Sequence, residues 1–114
     1  MTDMTVTGLV ALSQWIDGSP AYEGLGREAA DWRRIAKVAE ECGEVVSAYS
    51  GSLGENPRKG VTHTVDDVLK ELLDVATAAL GAYEHLTGNQ GTSLAALDAH
   101  VEALLRRAGI TREV

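Results

Sequence analysis

Apolar residues recur every three or four positions in four segments of the chain, which is the spacing of one face of an α-helix. These segments cover residues 4–17, 28–50, 64–87 and 93–109. Stretches rich in glycine, proline or asparagine separate them, at 18–26, 51–60 and 88–91. Four helices with short connections predict an all-α fold, a four-helix bundle that forms one domain over residues 1–114.

Each predicted helix carries a stripe of apolar residues, and in the last three helices we expect this stripe to point inward. The inward positions are Ile35, Val38, Ala39, Cys42, Val45, Val46 and Tyr49, then Val65, Val68, Leu69, Leu72, Val75, Ala76, Ala79, Leu80 and Tyr83, and finally Leu94, Leu97, Val101, Leu104 and Leu105. Gly51 is expected to stop the second helix. Thr64 and Asp67 resemble a capping box at the start of the third, and Thr92 or Ser93 is expected to cap the fourth.

Composition limits the size of the core and the kind of partner. Phe is absent and aromatic residues make up 4% of the chain, so the core must be built from Leu, Val, Ala and Ile. Four short helices of this composition bury little apolar surface alone, and we therefore expect a homodimer or homotetramer. The formal net charge of −7 argues against a nucleic-acid partner, which needs a basic surface.

Three features of the sequence favour the cytoplasm. Cys42 is the single cysteine, which excludes an intramolecular disulfide and fits a reducing compartment; we expect it to be a core thiol. No apolar run reaches the roughly 18 residues of a membrane span. The N-terminus lacks the basic and apolar regions of a secretory signal.

Acidic residues cluster at helical spacing on the second and third predicted helices. Glu41 and Glu44 flank one apolar stripe, and Glu71 and Asp74 lie on the same-handed flank of the other. If the two helices pack antiparallel, these flanks either face each other or both face away, and the sequence does not choose between the two packings. Carboxylates that meet repel one another unless a cation lies between them. A ligand set made only of oxygen favours Mg²⁺ or Mn²⁺, and a magnesium site in turn favours a phosphate-bearing substrate.

Other charged residues have both a structural and a functional interpretation. Lys37 lies one turn before Glu41 and is either an ion-pair partner or a phosphate ligand. Arg58 and Lys59 lie in a loop that is either a solvated turn or a source of cations for a triphosphate. Asp67 suits a helix N-terminus electrostatically and is otherwise a candidate site residue.

The tryptophans and histidines give a weaker signal. Trp15 and Trp32 are expected to be packing residues rather than platforms on which a base stacks. His63, His85 and His100 show no metal-ligand spacing. No residue in the sequence can be named as the reader of a nucleobase or a sugar.

Two segments of the chain resemble the paired EExxE and ExxD motifs of the MazG-like family, namely Lys37-Val38-Ala39-Glu40-Glu41-Cys42-Gly43-Glu44 and Glu71-Leu72-Leu73-Asp74. Members of this family are all-α nucleoside triphosphate pyrophosphohydrolases, related to dimeric dUTPases and to phosphoribosyl-ATP pyrophosphohydrolase. The resemblance covers about residues 34–87 and includes the Asn56-Pro57-Arg58-Lys59-Gly60 loop. The first and last helices match the family only as helices.

The resemblance implies a Mg²⁺-dependent enzyme that hydrolyses a ribo- or deoxyribonucleoside triphosphate to the monophosphate and pyrophosphate, with a role in clearing the nucleotide pool. The implied metal ligands are Glu41, Glu44, Glu71 and Asp74, with Mn²⁺ as a substitute for Mg²⁺. Glu40, beside this set, is the candidate to accept a proton from the attacking water or to hold a second metal. The candidate ligands of the outer phosphates are Lys37, Arg58 and Lys59, as charge-assisted partners.

Two other classes of protein also place acids on packed helices. A ferritin-like di-iron protein uses Glu-x-x-His pairs, but the fourth positions here are Glu44 and Asp74, which argues against it. The other class is a non-catalytic helical module of the same fold that binds a nucleotide or a partner protein as a regulator. The complete set of acids argues against this alternative without excluding it.

Overall fold

A computed structural model of the chain describes residues 3–111, and within this range the regular structure is entirely helical. The helices are α1 (Asp3–Asp17), α2 (Arg27–Leu53), α3 (Val65–Leu86) and α4 (Ser93–Arg107). A single 3₁₀ turn, Pro20–Tyr22, lies between α1 and α2. The prediction of an all-α chain with four helices is confirmed. None of the helices in this range combines the length and the apolar character required to cross a membrane.

Helices α2 and α3 form an antiparallel hairpin, and α3 also contacts α1 and α4. Small residues let the helices approach closely: Ala48 of α2 and Ala82 of α3 are buried, as is Leu9 of α1. A Cβ on Gly81 would lie 3.2 Å from Nη2 of Arg34, so the glycine leaves room for that guanidinium group. Helix α3 is therefore the central element of the fold.

The predicted capping box fixes the start of α3. Thr64 Oγ1 accepts a hydrogen bond from the backbone N–H of Asp67 (3.2 Å), and Asp67 Oδ2 accepts one from the backbone N–H of Thr64 (2.9 Å). The hydrogen bonds from Thr64, that of its backbone first, hold the pKa of the Asp67 carboxyl below its ordinary value. Asp67 thus has the structural role, at the N-terminus of α3, that was one of the two interpretations of this residue.

A residue of α3 supplies the hydrogen bonds that cap α4. Thr92 holds the predicted cap position but makes no side-chain capping bond. Instead, the buried carboxylate of Glu84 accepts hydrogen bonds from the backbone N–H groups of Gly91 (2.8 Å) and Ser93 (2.9 Å). Burial alone would raise the pKa of Glu84, but the hydrogen bonds from Ser93 and Gly91 outweigh it and hold that pKa below its usual range. The anchor of α4 is therefore a charged, buried group on its neighbour.

Helix α2 continues past its predicted stop. Gly51 lies within the helix, which ends at Leu53 and is followed by Gly54 in the left-handed conformation (φ 67°). The prediction that Gly51 ends α2 is wrong because this glycine serves tertiary packing. A Cβ at Gly51 would overlap the side chains of Thr62 and His63 in the following loop.

Much of the apolar surface stays exposed in the single chain. Val46 is 68% exposed, and the Cys42 thiol is also exposed rather than a core group. Trp15 and Trp32 are 74% and 65% exposed, so the prediction that they are packing residues is wrong for one copy of the chain. Further positions that were expected to point inward but are exposed are Ile35, Ala39, Tyr49, Val65, Leu69, Leu72, Ala76, Ala79, Tyr83, Leu97, Val101 and Leu104. The reason is that no further helix within residues 3–111 covers these faces.

The overall dimensions of the molecule also show that one copy does not enclose a compact core. The Cα radius of gyration is 17.2 Å, and the molecule extends over 49 × 47 × 25 Å. A compact chain of this length has a radius of gyration of about 13 Å. One copy therefore leaves its helices spread apart instead of closing them around a single core.

Candidate metal centre

Three glutamates from two helices come together between α2 and α3. One carboxylate oxygen from each of Glu41, Glu44 and Glu71 lies within 4.8 Å of the other two. The hairpin therefore brings the two acidic flanks face to face, which is one of the two packings that the sequence leaves open. We call these three residues the acid cluster.

Two buried oxygens of the acid cluster lack a hydrogen-bonding partner among residues 3–111. They are Oε2 of Glu41 and Oε2 of Glu71. The Glu41 side chain is 13% exposed, whereas Glu44 is open to solvent. A buried polar atom without a partner destabilises a fold by roughly 1–3 kcal/mol. A cation bound between these carboxylates would remove that penalty.

The chain neutralises the charge of the acid cluster only in part. Burial raises the pKa of the Glu41 carboxyl, and the adjacent Glu44 carboxyl raises it further. Lys37 opposes both effects, with its Nζ 3.4 Å from Oε1 of Glu41. Desolvation lowers the pKa of Lys37, but the adjacent Glu40 and Glu41 outweigh it and raise that pKa above its ordinary value. The lysine is therefore cationic at neutral pH and compensates one carboxylate.

A cavity of about 300 Å³ opens beside the acid cluster between α1, α2 and α3. We call it the site cavity. Glu41, Asp74 and Lys37 line it together, so Asp74 lies next to the acid cluster without belonging to the three converging oxygens. Its α1 lining includes the apolar side chains of Leu9, Leu12 and Ile16. The volume is at the small end of the range for ligand pockets.

The other predicted site residues are split between two places. Glu40 is 61% exposed and forms an ion pair with Lys37 (3.4 Å), which places it at the rim of the acid cluster. Arg58 and Lys59 lie in the exposed connection between α2 and α3. The fold thus brings Lys37 to the acids and leaves Arg58 and Lys59 at the turn of the hairpin.

A buried polar network forms part of the wall of the site cavity, and no pattern in the sequence revealed it. Arg34 is 4% exposed and donates from Nη2 to Oγ of Ser13 (3.0 Å) and to the carbonyl oxygen of Gly81 (2.8 Å). Its Nη1 pairs with Oδ1 of Asp17 at 2.8 Å. These bonds join α1, α2 and α3 and so fix the walls of the cavity. The sequence places Arg34 one turn before Lys37 on the same helix, but this spacing does not indicate that Arg34 is buried.

His85 extends this network to the far end of the hairpin. Its Nδ1 lies 2.8 Å from Oδ1 of Asp17, and its Nε2 lies 2.7 Å from Oδ1 of Asp31. Asn89 donates from Nδ2 to the second oxygen of Asp17 (3.3 Å). Both ring nitrogens therefore face carboxylate oxygens, one on α1 and one on α2. His85 is therefore a structural tie between α1, α2 and α3.

Comparison of the chain with protein-family models, with curated proteins and with solved structures gives no match. The resemblance to MazG-like motifs accordingly stays an expectation. Function must be inferred from the acid cluster and the cavity beside it.

Proposed function

We propose that this protein is a Mg²⁺-dependent nucleoside triphosphate pyrophosphohydrolase of the MazG-like kind. It would convert a ribo- or deoxyribonucleoside triphosphate into the monophosphate and pyrophosphate. The observation that supports this most is the convergence of Glu41, Glu44 and Glu71 from two helices onto one point. This arrangement agrees with what the EExxE and ExxD resemblance implies.

The residues present fit a magnesium ion. The donors are carboxylate oxygens, which Mg²⁺ prefers, and two of them are buried without a partner in the described chain. Asp74 lies on the same helix one turn beyond Glu71 and supplies a fourth carboxylate at the edge of the site cavity. When bound, Mg²⁺ or Mn²⁺ neutralises charge on the phosphates and lowers the pKa of a coordinated water.

The side chains of the site suit attack by water at the α-phosphorus. The water oxygen forms a bond to that phosphorus, and the bond from the phosphorus to the oxygen bridging to the β-phosphate breaks. The bonding electrons leave with pyrophosphate. Glu40 accepts the proton of the attacking water, since its exposed carboxylate stands at the rim of the acid cluster and can return the proton to solvent. Lys37, already held between Glu40 and Glu41, contributes positive charge to the α-phosphate.

The exposed apolar faces support self-association into a homodimer or homotetramer. Soluble monomers rarely expose contiguous apolar patches of more than a few hundred Å². Here α3 alone exposes Leu69 at 53% and Leu73 at 67%. A second copy that covers these faces would supply the core that one copy lacks.

A panel of nucleoside triphosphates assayed with Mg²⁺ tests the proposal through the identity of the products. Pyrophosphate and a monophosphate are expected, and orthophosphate with a diphosphate would contradict the mechanism. Glu41→Gln and Asp74→Asn should abolish turnover through loss of the metal. Glu40→Gln should lower turnover while Mg²⁺ binding stays intact. Nucleotide binding without turnover across the whole panel would instead favour the non-catalytic regulator.

A further inference from the structure

The end of α2 and the loop that leads to α3 enclose a second cavity, of about 260 Å³. We call it the turn pocket. Its side chains are Ser47 and Ser50 from α2 with Asn56, Lys59, Thr62 and His63 from the loop, and two glycines complete its lining. In a chain of net charge −7, none of the described residues that line this pocket carries an acidic or a large apolar side chain. The pocket therefore lacks the large apolar side chains that α1 contributes to the site cavity.

Close packing of the loop against α2 forms the pocket. The backbone N–H of Thr62 donates to the carbonyl oxygen of Gly51 (3.0 Å), in the last turn of the helix. The missing Cβ of Gly51 is what admits the side chains of Thr62 and His63. The left-handed Gly54 then lets the chain reverse. The His63 side chain is thus half-buried against the helix, while those of Asn56, Lys59 and Thr62 stay exposed at the mouth of the pocket.

The free groups in the turn pocket are mainly hydrogen-bond donors. Ser50 donates to Glu55 (2.9 Å) and is therefore engaged. Asn56 uses its carbonyl oxygen to accept from the backbone N–H of Arg58 (3.0 Å), which leaves its amide group to donate. Thr62 Oγ1 lies 2.9 Å from Nδ1 of His63. When Thr62 donates in that bond, the ring carries its proton on Nε2 and presents another donor.

Together with the Lys59 ammonium and the Ser47 hydroxyl, these donors suit a ligand with several anionic oxygens. Charge-assisted hydrogen bonds to phosphate oxygens are the strong ones, and lysine binds phosphate as a point charge. Pyrophosphate, or the two outer groups of a triphosphate, matches this chemistry better than a single carboxylate does.

The turn pocket lies next to the acid cluster along the same hairpin. Ser47 follows Glu44 by three residues on α2, which is about 4.5 Å along the helix axis. The site cavity lies in the other direction, from Glu41 towards Arg34. The acids are therefore flanked on one side by the site cavity, with its apolar α1 wall, and on the other by the turn pocket, whose side chains carry hydroxyl, amide, ammonium and imidazole groups.

We propose that the turn pocket binds the β- and γ-phosphates of the substrate, and then the pyrophosphate product, while the nucleoside occupies the site cavity. This inference rests on the proposed function and sets the direction in which the triphosphate lies along the α2–α3 seam. The α-phosphate is then the group left at the acid cluster. Lys59 and Ser47 are assigned to the outer phosphates, and Lys37 to the α-phosphate.

Calorimetric titration with inorganic pyrophosphate and with a nucleoside monophosphate, both in Mg²⁺ buffer, tests this direction. Lys59→Ala should weaken pyrophosphate binding at least about tenfold, and Ser47→Ala by a smaller factor. Monophosphate affinity should stay within about twofold, because its single phosphate does not reach the pocket. The matched controls are Lys70→Ala on α3 and Ser52→Ala on α2, which remove the same groups outside the pocket and should change neither affinity.

Unchanged pyrophosphate affinity in Lys59→Ala would overturn the inference, as would an equal loss of monophosphate affinity. Triphosphate turnover by the wild-type protein separates the two proposals. If the wild-type protein hydrolyses triphosphates but Lys59→Ala leaves the pyrophosphate affinity unchanged, the assignment of the turn pocket is wrong and the proposed function stands. If pyrophosphate binding depends on Lys59 but the wild-type protein hydrolyses no triphosphate, the proposed function is wrong and the turn pocket is an anion-binding site.

Discussion

The crowding of carboxylates in the acid cluster leads us to expect that Glu44→Gln raises the stability of the metal-free protein and lowers the stabilisation that Mg²⁺ provides. Glu44→Gln removes one of three carboxylates whose oxygens lie within 4.8 Å of one another. At 4.8 Å two unit charges repel by about 0.9 kcal/mol in water and about 3.5 kcal/mol at an effective dielectric of 20. Glu44 faces two such charges, those of Glu41 and Glu71, and because it is exposed, screening keeps the total gain at about 1–2 kcal/mol.

Magnesium should reverse this order. Binding to the folded state adds about 1.4 kcal/mol to the wild-type free energy of unfolding at a Mg²⁺ concentration about ten times the dissociation constant. Glu44→Gln should lose most of this gain, since it lacks one ligand. Thermal unfolding at neutral pH and low ionic strength, with a chelator or with Mg²⁺, measures both effects. Glu102→Gln on α4 removes a carboxylate outside the cluster and serves as the control.

The pH dependence of the metal-free protein provides a second check on the same reasoning. The pKa of Glu41 is raised in the folded state, so the folded chain binds more protons than the unfolded chain. Stability should therefore fall as pH rises from the ordinary glutamate range through the raised pKa. The advantage of Glu44→Gln should shrink as pH is lowered and Glu41 becomes protonated. A variant that is less stable than wild type without metal, or that keeps the full Mg²⁺ shift, would refute the picture.

Four further predictions concern the fold. Glu84→Ala should lower the free energy of unfolding by roughly 3 kcal/mol, because the first N–H groups of α4 lose a buried, charged acceptor. The pKa of Glu84 is lowered in the folded state, so the greater stability of wild type over Glu84→Gln should disappear as pH falls through that pKa. Acid unfolding of the two proteins measures this difference. Arg34→Met should destabilise by roughly 3 kcal/mol, measured by urea unfolding, because it leaves buried acceptors unpaired. Gly51→Ala should lower the melting temperature despite the better helix propensity of alanine, because the added Cβ would overlap Thr62 and His63. Gly43 has open space around it, so Gly43→Ala should raise the free energy of unfolding by about 1 kcal/mol and with it the melting temperature. Light scattering should give two or four times the chain mass of 12.1 kDa, and a strictly monomeric mass at micromolar concentration would contradict self-association.

Local signals in the sequence predicted those parts of the fold that depend on neighbouring residues. The Thr64 and Asp67 capping box is one example, since both partners lie within one helical turn. The spacing of Glu41 and Glu44 likewise placed both on one flank of α2. Whether that flank meets Glu71 depends on how two helices pack, which the spacing within each helix does not determine.

The parts that the sequence did not predict depend on contacts between distant segments. Gly51 looks like a helix stop, yet it lies inside α2 because a loop eleven residues further on packs against it. Glu84 looks like an ordinary helical acid, but it caps the next helix. The helical period of the apolar residues places Val46 on the apolar face of α2 and Leu69 on that of α3. It does not show whether the chain itself supplies a surface to cover these faces, and both side chains are exposed.

Hydrolysis of a triphosphate in water labelled with ¹⁸O tests the central claim most directly, because it reports which phosphorus is attacked. In the proposed binding mode, with the nucleoside in the site cavity and the outer phosphates in the turn pocket, the α-phosphorus would lie next to the acid cluster. Mass spectrometry should therefore find one labelled oxygen in the nucleoside monophosphate and none in pyrophosphate. Label in pyrophosphate would mean attack at the β-phosphorus, and label in orthophosphate would mean attack at the γ-phosphorus. Either result would contradict the proposed chemistry of this site.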